Sequence, residues 1–313
     1  MNENPKYAVE LNGITKRYGD FTAVKEIDLA VPVGSIYGFL GPNGAGKTTT
    51  IRMILDIVKP TAGSLAVLGA PTAMKVRERI GYLPEEKGLY KKMKAWAVIA
   101  YFARLKGVDA RTAKKRAYEL LERYGLKDFS DKKVETLSKG MGQKVQVLAS
   151  IAHQPEFVIL DEPFSGLDPS NQQVMEDVIS DLNNTGSTIV FSTHVMSHAE
   201  RICDRILLIA KAEKIFDGTI EEAKALIPKV VQVSGLTDPA QVADLPGVAT
   251  VGSSDTEVGV HEIVMEDDAD PQGLLRACFQ QGIELNSFQY HEPTLHDVFL
   301  HLVGDDAKVA SFR

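Results

Sequence analysis

One eight-residue stretch constrains this chain more than any other: Gly41-Pro42-Asn43-Gly44-Ala45-Gly46-Lys47-Thr48. It fits GxxxxGK[ST] and follows the apolar run Ser35–Leu40. Ile51, Ile54, Leu55 and Val58 come next at offsets 0, 3, 4 and 7. That spacing predicts one apolar helix face, ended by Lys59-Pro60. Strand, glycine turn and helix together form an anion cradle. The glycines let successive backbone N–H groups turn inward on phosphate oxygens, at the positive end of the helix dipole. Lys47 is placed to reach β- and γ-phosphates, and the Thr48 hydroxyl to ligate Mg²⁺, with Thr49 beside it.

A second chemical element lies further on. Phe157-Val158-Ile159-Leu160 is a buried-strand pattern that delivers Asp161 and Glu162 together, before Pro163. One carboxylate at a strand end suits Mg²⁺. The next is suited to orient and deprotonate a water for in-line attack on a γ-phosphate.

The surrounding pattern gives the architecture. Tyr7–Leu11, Ala23–Val24 and Ile27–Val31 read as strands of a small antiparallel sheet. Thr188–Ser192 and Ile206–Ile209 read as strands too, with helices near 170–183 and 195–202. This βα alternation predicts a mostly parallel sheet covered on both faces. A helical block over about 94–153 interrupts it. In that block Asp109 caps a helix carrying Ala113, Ala117, Leu120, Leu121 and Tyr124, which Gly125 ends. Another helix carries Val145, Leu148, Ala149 and Ala152. In the tail, Val230–Val233, Val248–Val251 and Val258–Val264 read as strands. Gly273–Gln281 and Leu295–Leu302 read as helices, the second opened by a Thr294/Asp297 capping box.

Composition narrows the class. The 313 residues carry a formal net charge of −7, the opposite of the basic balance that nucleic-acid binding favours. The charge is uneven: Lys229–Arg313 holds 14 acidic and 4 basic residues. We therefore expect two domains, 1–224 and 225–313, with the boundary near 218–230. The tail is expected to be a small α+β domain. Cys203 and Cys278 are far apart and form no CxxC, the pattern of a reduced protein without a disulfide framework. The polar start shows no secretory signal, and no apolar run is long enough to span a bilayer. The histidines show no metal-ligand spacing. Trp96 reads as packing. Lys87, Lys91, Lys92 and Lys94 read first as a solvated loop and helix start, and second as a contact for a membrane partner or anionic lipid.

Further motifs give these residues a family. Leu137-Ser138-Lys139-Gly140-Met141 precedes a helix and looks like a variant LSGGQ signature. Ser165-Gly166-Leu167-Asp168 matches a D-loop, Ser192-Thr193-His194 a switch histidine, and Tyr18 an adenine-stacking aromatic. With the two phosphate-site motifs, they stand in the order of the ATP-binding subunit of ABC transporters. Residues 7–218 thus resemble that family. The resemblance implies a P-loop NTPase α/β cassette with a small antiparallel β-subdomain and an inserted helical subdomain.

It also implies roles. ATP and Mg²⁺ are the expected ligands, with Tyr18, Gly41–Thr49, Ser138 and Gly140 holding nucleotide, Lys47 among them. Thr48, Asp161 and, by spacing at the Q-loop, Glu85 are the expected Mg²⁺ ligands. Glu162 is the implied general base, His194 the γ-phosphate contact and Asp168 a coupler of two sites. Two subunits pair head to tail, so that the signature of one closes over the ATP of the other. Two departures stand out. Glu85 replaces a glutamine. Lys139 replaces a glycine, and either supplies charge to the opposing ATP or faces solvent.

The implied function is the ATP-hydrolysing motor of a transporter, peripheral on the cytoplasmic side of the membrane. A separate permease of about six helices per subunit would be its partner. Gly81-Tyr82-Leu83-Pro84-Glu85-Glu86 and the tail Glu292–Phe299 look most similar to bacterial export-type ATPases for sodium or drug efflux, with sodium our first choice of cargo. The alternative is a soluble ABC ATPase acting on ribosomes or nucleic acid. Such proteins carry two cassettes, coiled coils or zinc cysteines, none of which this sequence shows. A GTPase or kinase would leave the signature unexplained, and no Asn-Lys-x-Asp motif is present.

Overall fold

The computed structural model describes residues 5–304 apart from 87, 89, 237, 254–258 and 267–268. The chain divides into one compact unit that runs to Thr219 and a second that begins at Ile220.

The first unit opens with a hairpin of two long strands, β1 (Tyr7–Tyr18) and β2 (Phe21–Pro32), which pair from Tyr7↔Pro32 to Tyr18↔Phe21. The two short runs expected at 23–31 are one strand, kinked where Glu26 takes a left-handed backbone (φ 47°). Strand β3 (Ile36–Leu40) is buried at all five positions, as a central parallel strand must be. After the glycine turn comes α1 (Lys47–Ile54). It ends four residues before the expected stop. Leu55 is its C-cap, and Asp56 turns left-handed at φ 59°. Val58 therefore lies outside the helix, though it still packs on the core.

The strand β4 (Ala62–Val67) pairs antiparallel with β1, completing a three-stranded sheet in the order β2-β1-β4. The chain continues through β5 (Ile80–Leu83) into the helical block: α2 (Ala95–Leu105), α3 (Ala110–Arg123) and α4 (Lys139–Ile151). Asp109 caps α3 as expected, accepting from the backbone N–H groups of Arg111 and Thr112. Then alternation resumes with β6 (Phe157–Asp161), α5 (Pro169–Asn184), β7 (Thr188–Thr193), α6 (Met196–Ile202), β8 (Arg205–Ala210) and β9 (Glu213–Thr219).

Six of these strands form one sheet, β5-β6-β7-β3-β8-β9, parallel except for the last pair. Its core runs from Tyr37 and Phe39 through Ile51, Met53 and Ile54 of α1 to Phe157 and Ile159, all fully buried. This order places the C-terminal ends of β3, β6 and β7 side by side. The glycine turn, the Asp161-Glu162 pair and His194 all emerge there. Parallel sheets gather function at that edge.

The second unit comprises α7 (Ile220–Lys224), β10 (Val230–Ser234), α8 (Ala240–Ala243), β11 (Val248–Ser253), β12 (Val260–Met265), α9 (Pro271–Gln280), β13 (Ser287–His291) and α10 (Leu295–Val303). Its sheet, β11-β12-β10-β13, is antiparallel throughout. From β10 to β13 the order is βαββαβ, a ferredoxin-like arrangement. Val231, Val233, Ile263 and Met265 line one face and pack with Leu274 and Cys278 of α9. The expected strand start at Val258 lies outside the described residues. The Thr294/Asp297 capping box is formed.

Candidate functional site

Two of the glycines at the turn, Gly41 and Gly46, are there because nothing larger fits. Gly41 has φ 149°, and a Cβ on it would stand 2.1 Å from the carbonyl oxygen of Ile209. Gly46 is the N-cap of α1 at φ 112°, and a Cβ there would meet the Ala23 carbonyl oxygen at 2.6 Å. The N-terminus of α1 has no side-chain cap and no acidic residue in its first turn. A lysine at that position faces the positive helix end, an unfavourable placement unless an anion sits between them. Here the Lys47 ammonium donates to the carbonyls of Gly41, at 2.7 Å, and Pro42, at 3.1 Å. Burial pulls its pKa down, against the opposing pull of Glu162, Asp161 and Glu85.

The acid pair completes the centre. Asp161 is 1% exposed. Its Oδ1 accepts from Ser192 Oγ at 2.6 Å and from Thr48 Oγ1 at 3.2 Å. Its Oδ2 is buried with no hydrogen-bond partner among the described residues. Glu162 has a left-handed backbone at φ 49°, which costs energy for a side chain of this kind. Its backbone N–H donates to Ser192 Oγ. Its carboxylate stands 3.7 Å from Lys47 Nζ and 3.1 Å from His194 Nδ1, the latter measured to either oxygen. Three groups far apart in sequence therefore meet in one cluster.

A cavity of about 310 Å³ opens in front of them, lined by Phe21, Ala23, Asn43, Gly44, Gly46, Lys47, Thr48, Thr49, Glu85 and Glu162. Glu85 is exposed at its rim. Tyr18 is not among the lining residues. It is half exposed, with Lys16 Nζ 4.9 Å from its ring centre. Phe21, its partner across the hairpin and 64% exposed, adds an aromatic surface that does line the cavity. Sequence reading missed Phe21. The signal available was an aromatic directly across the two-residue Gly19-Asp20 turn from Tyr18.

Ser138 and Gly140 are also absent from the cavity. Ser138 caps α4, its hydroxyl accepting from the Met141 N–H, and it is exposed. A Cβ on Gly140 would stand 2.7 Å from Asn171 Nδ2. Lys139 is exposed, as the solvent-facing expectation has it. Its ammonium lies over Gly166, where a Cβ would be 2.3 Å away. Asp168 caps α5, accepting from Asn171 N–H. In the basic stretch, Lys91 and Lys92 are exposed, Lys94 pairs with Asp131 at 2.9 Å, and Lys87 lies outside the described residues. Trp96 packs, stacked on Tyr118.

Comparison with known proteins agrees with this geometry. The ABC transporter family profile matches residues 24–165. The profile described as ATP-binding protein DrrA1-3-like, C-terminal domain, matches residues 218–303. The uncharacterized ABC transporter ATP-binding protein YhaQ of Bacillus subtilis is 39% identical over 94% of this chain and 98% of its own length. The daunorubicin resistance ATP-binding protein DrrA3 of Streptomyces coeruleorubidus is 37% identical over 96% of this chain and 98% of its own. Among solved structures, a dimeric ATP-binding cassette in a post-hydrolysis state, bound to ADP and Pi, superposes with a TM-score of 0.62. It is 26% identical and covers 67% of this chain and 98% of its own. The chain belongs to the ABC transporter ATP-binding proteins and is an ATPase of that family.

Proposed function

We propose that this ATPase drives an exporter by closing, as a dimer, around ATP and reopening after hydrolysis. The observation that carries this reading is the meeting of Lys47, Glu162 and His194 at the mouth of the glycine turn. The α1 N-terminus and Lys47 bind the β/γ-phosphates. Once phosphate draws Lys47 off the Gly41 and Pro42 carbonyls, Glu162 is left to take a proton from the attacking water. His194 orients Glu162 and contacts the γ-phosphate.

The residues fit Mg²⁺. The unpartnered Asp161 Oδ2 lies on a carboxylate already linked to Thr48, which is the donor set a hard cation takes. Thr48, Asp161 and Glu85 would hold it, directly or through water. When bound, it offsets charge on the β- and γ-oxygens. Tyr18 and Phe21 flank the base end of the nucleotide.

The exposed Ser138 cap and Gly140 lie outside the cavity, as a site shared between two copies requires. Ser138 and the α4 N-terminus close over the partner's γ-phosphate. Residues 1–224 form the motor and 225–313 an accessory domain. Among the described residues no helix is long and apolar enough to cross a membrane. The partner in this reading is a permease, with the ATPase at its cytoplasmic face. Export is the direction supported by the DrrA-like C-terminal match and the daunorubicin-resistance relative. Both favour the drug-efflux side of the export-type resemblance over sodium.

Affinity capture of the full chain from detergent-solubilised cells tests this reading. A polytopic membrane protein should co-purify in equal amount. Co-sedimentation with ribosomes and no membrane partner would overturn it.

A further inference from the structure

The left-handed backbone of Glu162 must be held by its surroundings, because strain persists only where the structure over-determines it. One tie is the Glu162 N–H to Ser192 Oγ. The other is two residues on. Phe164 is 3% exposed, meets Phe191 of β7 edge-on at 5.7 Å, and meets the ring of His198, tilted by 39°, at 4.2 Å. His198 belongs to α6, four residues after His194, and its own N–H bonds back to the Val195 carbonyl. A single ring thus touches the turn that carries Glu162 and stands on the helix that His194 leads into.

His198 has no role of its own in the chemistry above. It is 6% exposed and does not line the nucleotide cavity. Its Nδ1 is buried with no partner among the described residues. Burial, with the nearby charges of Arg201 and His194, holds its pKa below the ordinary value. Arg201, the charged neighbour one turn on, is paired with the buried Glu176 of α5. With Nδ1 buried and unpartnered, the contact this ring is seen to make is the one with Phe164.

We infer that His198 is a positioning residue for hydrolysis: packed at a tilt against Phe164, it clamps the Glu162 turn against α6 and thereby fixes the Glu162–His194 contact. The inference rests on the proposed role of Glu162 as base. The clamp acts on the base and the switch histidine, and leaves the phosphate loop alone. Loss of the ring should therefore lower kcat without changing KM for ATP.

Steady-state ATP turnover of the full-length chain tests this, with melting temperatures recorded for every variant. His198→Ala removes the ring. His198→Leu keeps most of its volume, so it remains informative if the alanine variant does not fold. Both should lose about 3- to 10-fold in kcat, the rate equivalent of one aromatic pair. His198→Phe keeps a ring and drops the unpartnered nitrogen, so it should restore kcat and melt no lower than the parent. Unchanged kcat in a folded leucine variant would overturn the inference, as would a phenylalanine variant no faster than leucine. Glu162→Gln, assayed alongside, separates the two readings. Full turnover there removes the base on which the clamp acts. Inactive Glu162→Gln with normal His198→Leu overturns the clamp alone.

Discussion

At the scale of the residue, the site is organised around a carboxylate in a conformation it would not choose. Glu162 is 8% exposed, left-handed in its backbone, and set between Lys47 and His194. Replacing Lys47 by alanine leaves the buried Asp161 and Glu162 without their neighbouring cation. It also removes the side-chain charge that meets the β/γ-phosphates. ATP turnover should fall by at least about 100-fold, the usual effect of losing a preorganised electrostatic group. Retention of most activity in Lys47→Ala would contradict the assignment. Most of this centre is legible in sequence, because backbone N–H groups, one lysine and adjacent carboxylates must recur at fixed spacing to hold a phosphate. Phe21 is not legible in that way. What brings it to the cavity is the register of the β1–β2 hairpin, which pairs it with Tyr18, and that register is not fixed by the spacing of the phosphate-binding residues.

At the scale of the element, α4 joins the signature to the main sheet. Ser138 caps its start, and His153, just beyond its end, approaches the Ile80 carbonyl of β5 at 3.1 Å through Nε2. Burial and the neighbouring Lys106 and Arg116 push the His153 pKa down to about 4. The unfolded chain, with an ordinary histidine pKa, binds this proton more readily. The group's contribution is therefore complete above about pH 6.5 and is lost as pH falls toward 4. Going from pH 7 to pH 5, the parent should lose up to about 2 kcal/mol more stability than His153→Gln. Urea unfolding of both at the two pH values measures this. An equal loss in parent and variant would show that His153 does not stay neutral in the fold.

The elements also show where sequence patterning stops. Strands β3, β6, β7 and the buried part of β8 read clearly, because both faces of a parallel sheet are covered and the strands carry runs of apolar residues. Strands β4 and β9 do not. β4 begins Ala62-Gly63-Ser64 and is exposed over those three residues, and β9 carries Glu213, Lys214 and Asp217. Both lie at sheet edges, so pairing with β1 or β8 forms them rather than their own pattern. Helix α1 stops early for a local reason. Asp56 leaves the helix, and its carboxylate is held by Lys59 and Thr72, a contact across 16 residues.

At the scale of the whole molecule, the proposal is that each cassette carries half of two sites: its own cavity to hold the phosphates, and its exposed α4 N-terminus to close over a partner's. Glu162→Gln tests this claim most directly. It keeps the size and reach of the side chain and removes the base. ATP still binds through the glycine turn, Lys47 and Thr48, and the γ-phosphate that holds the two copies together is no longer removed. Hydrolysis should fall by at least about 100-fold. In size-exclusion chromatography Glu162→Gln with Mg-ATP should elute as a dimer and with ADP as a monomer. Adding Ser138→Arg should abolish the dimer by driving a bulky side chain into the phosphate contact. Hydrolysis at the parent rate, or a monomer with ATP bound at high protein concentration, would contradict the account.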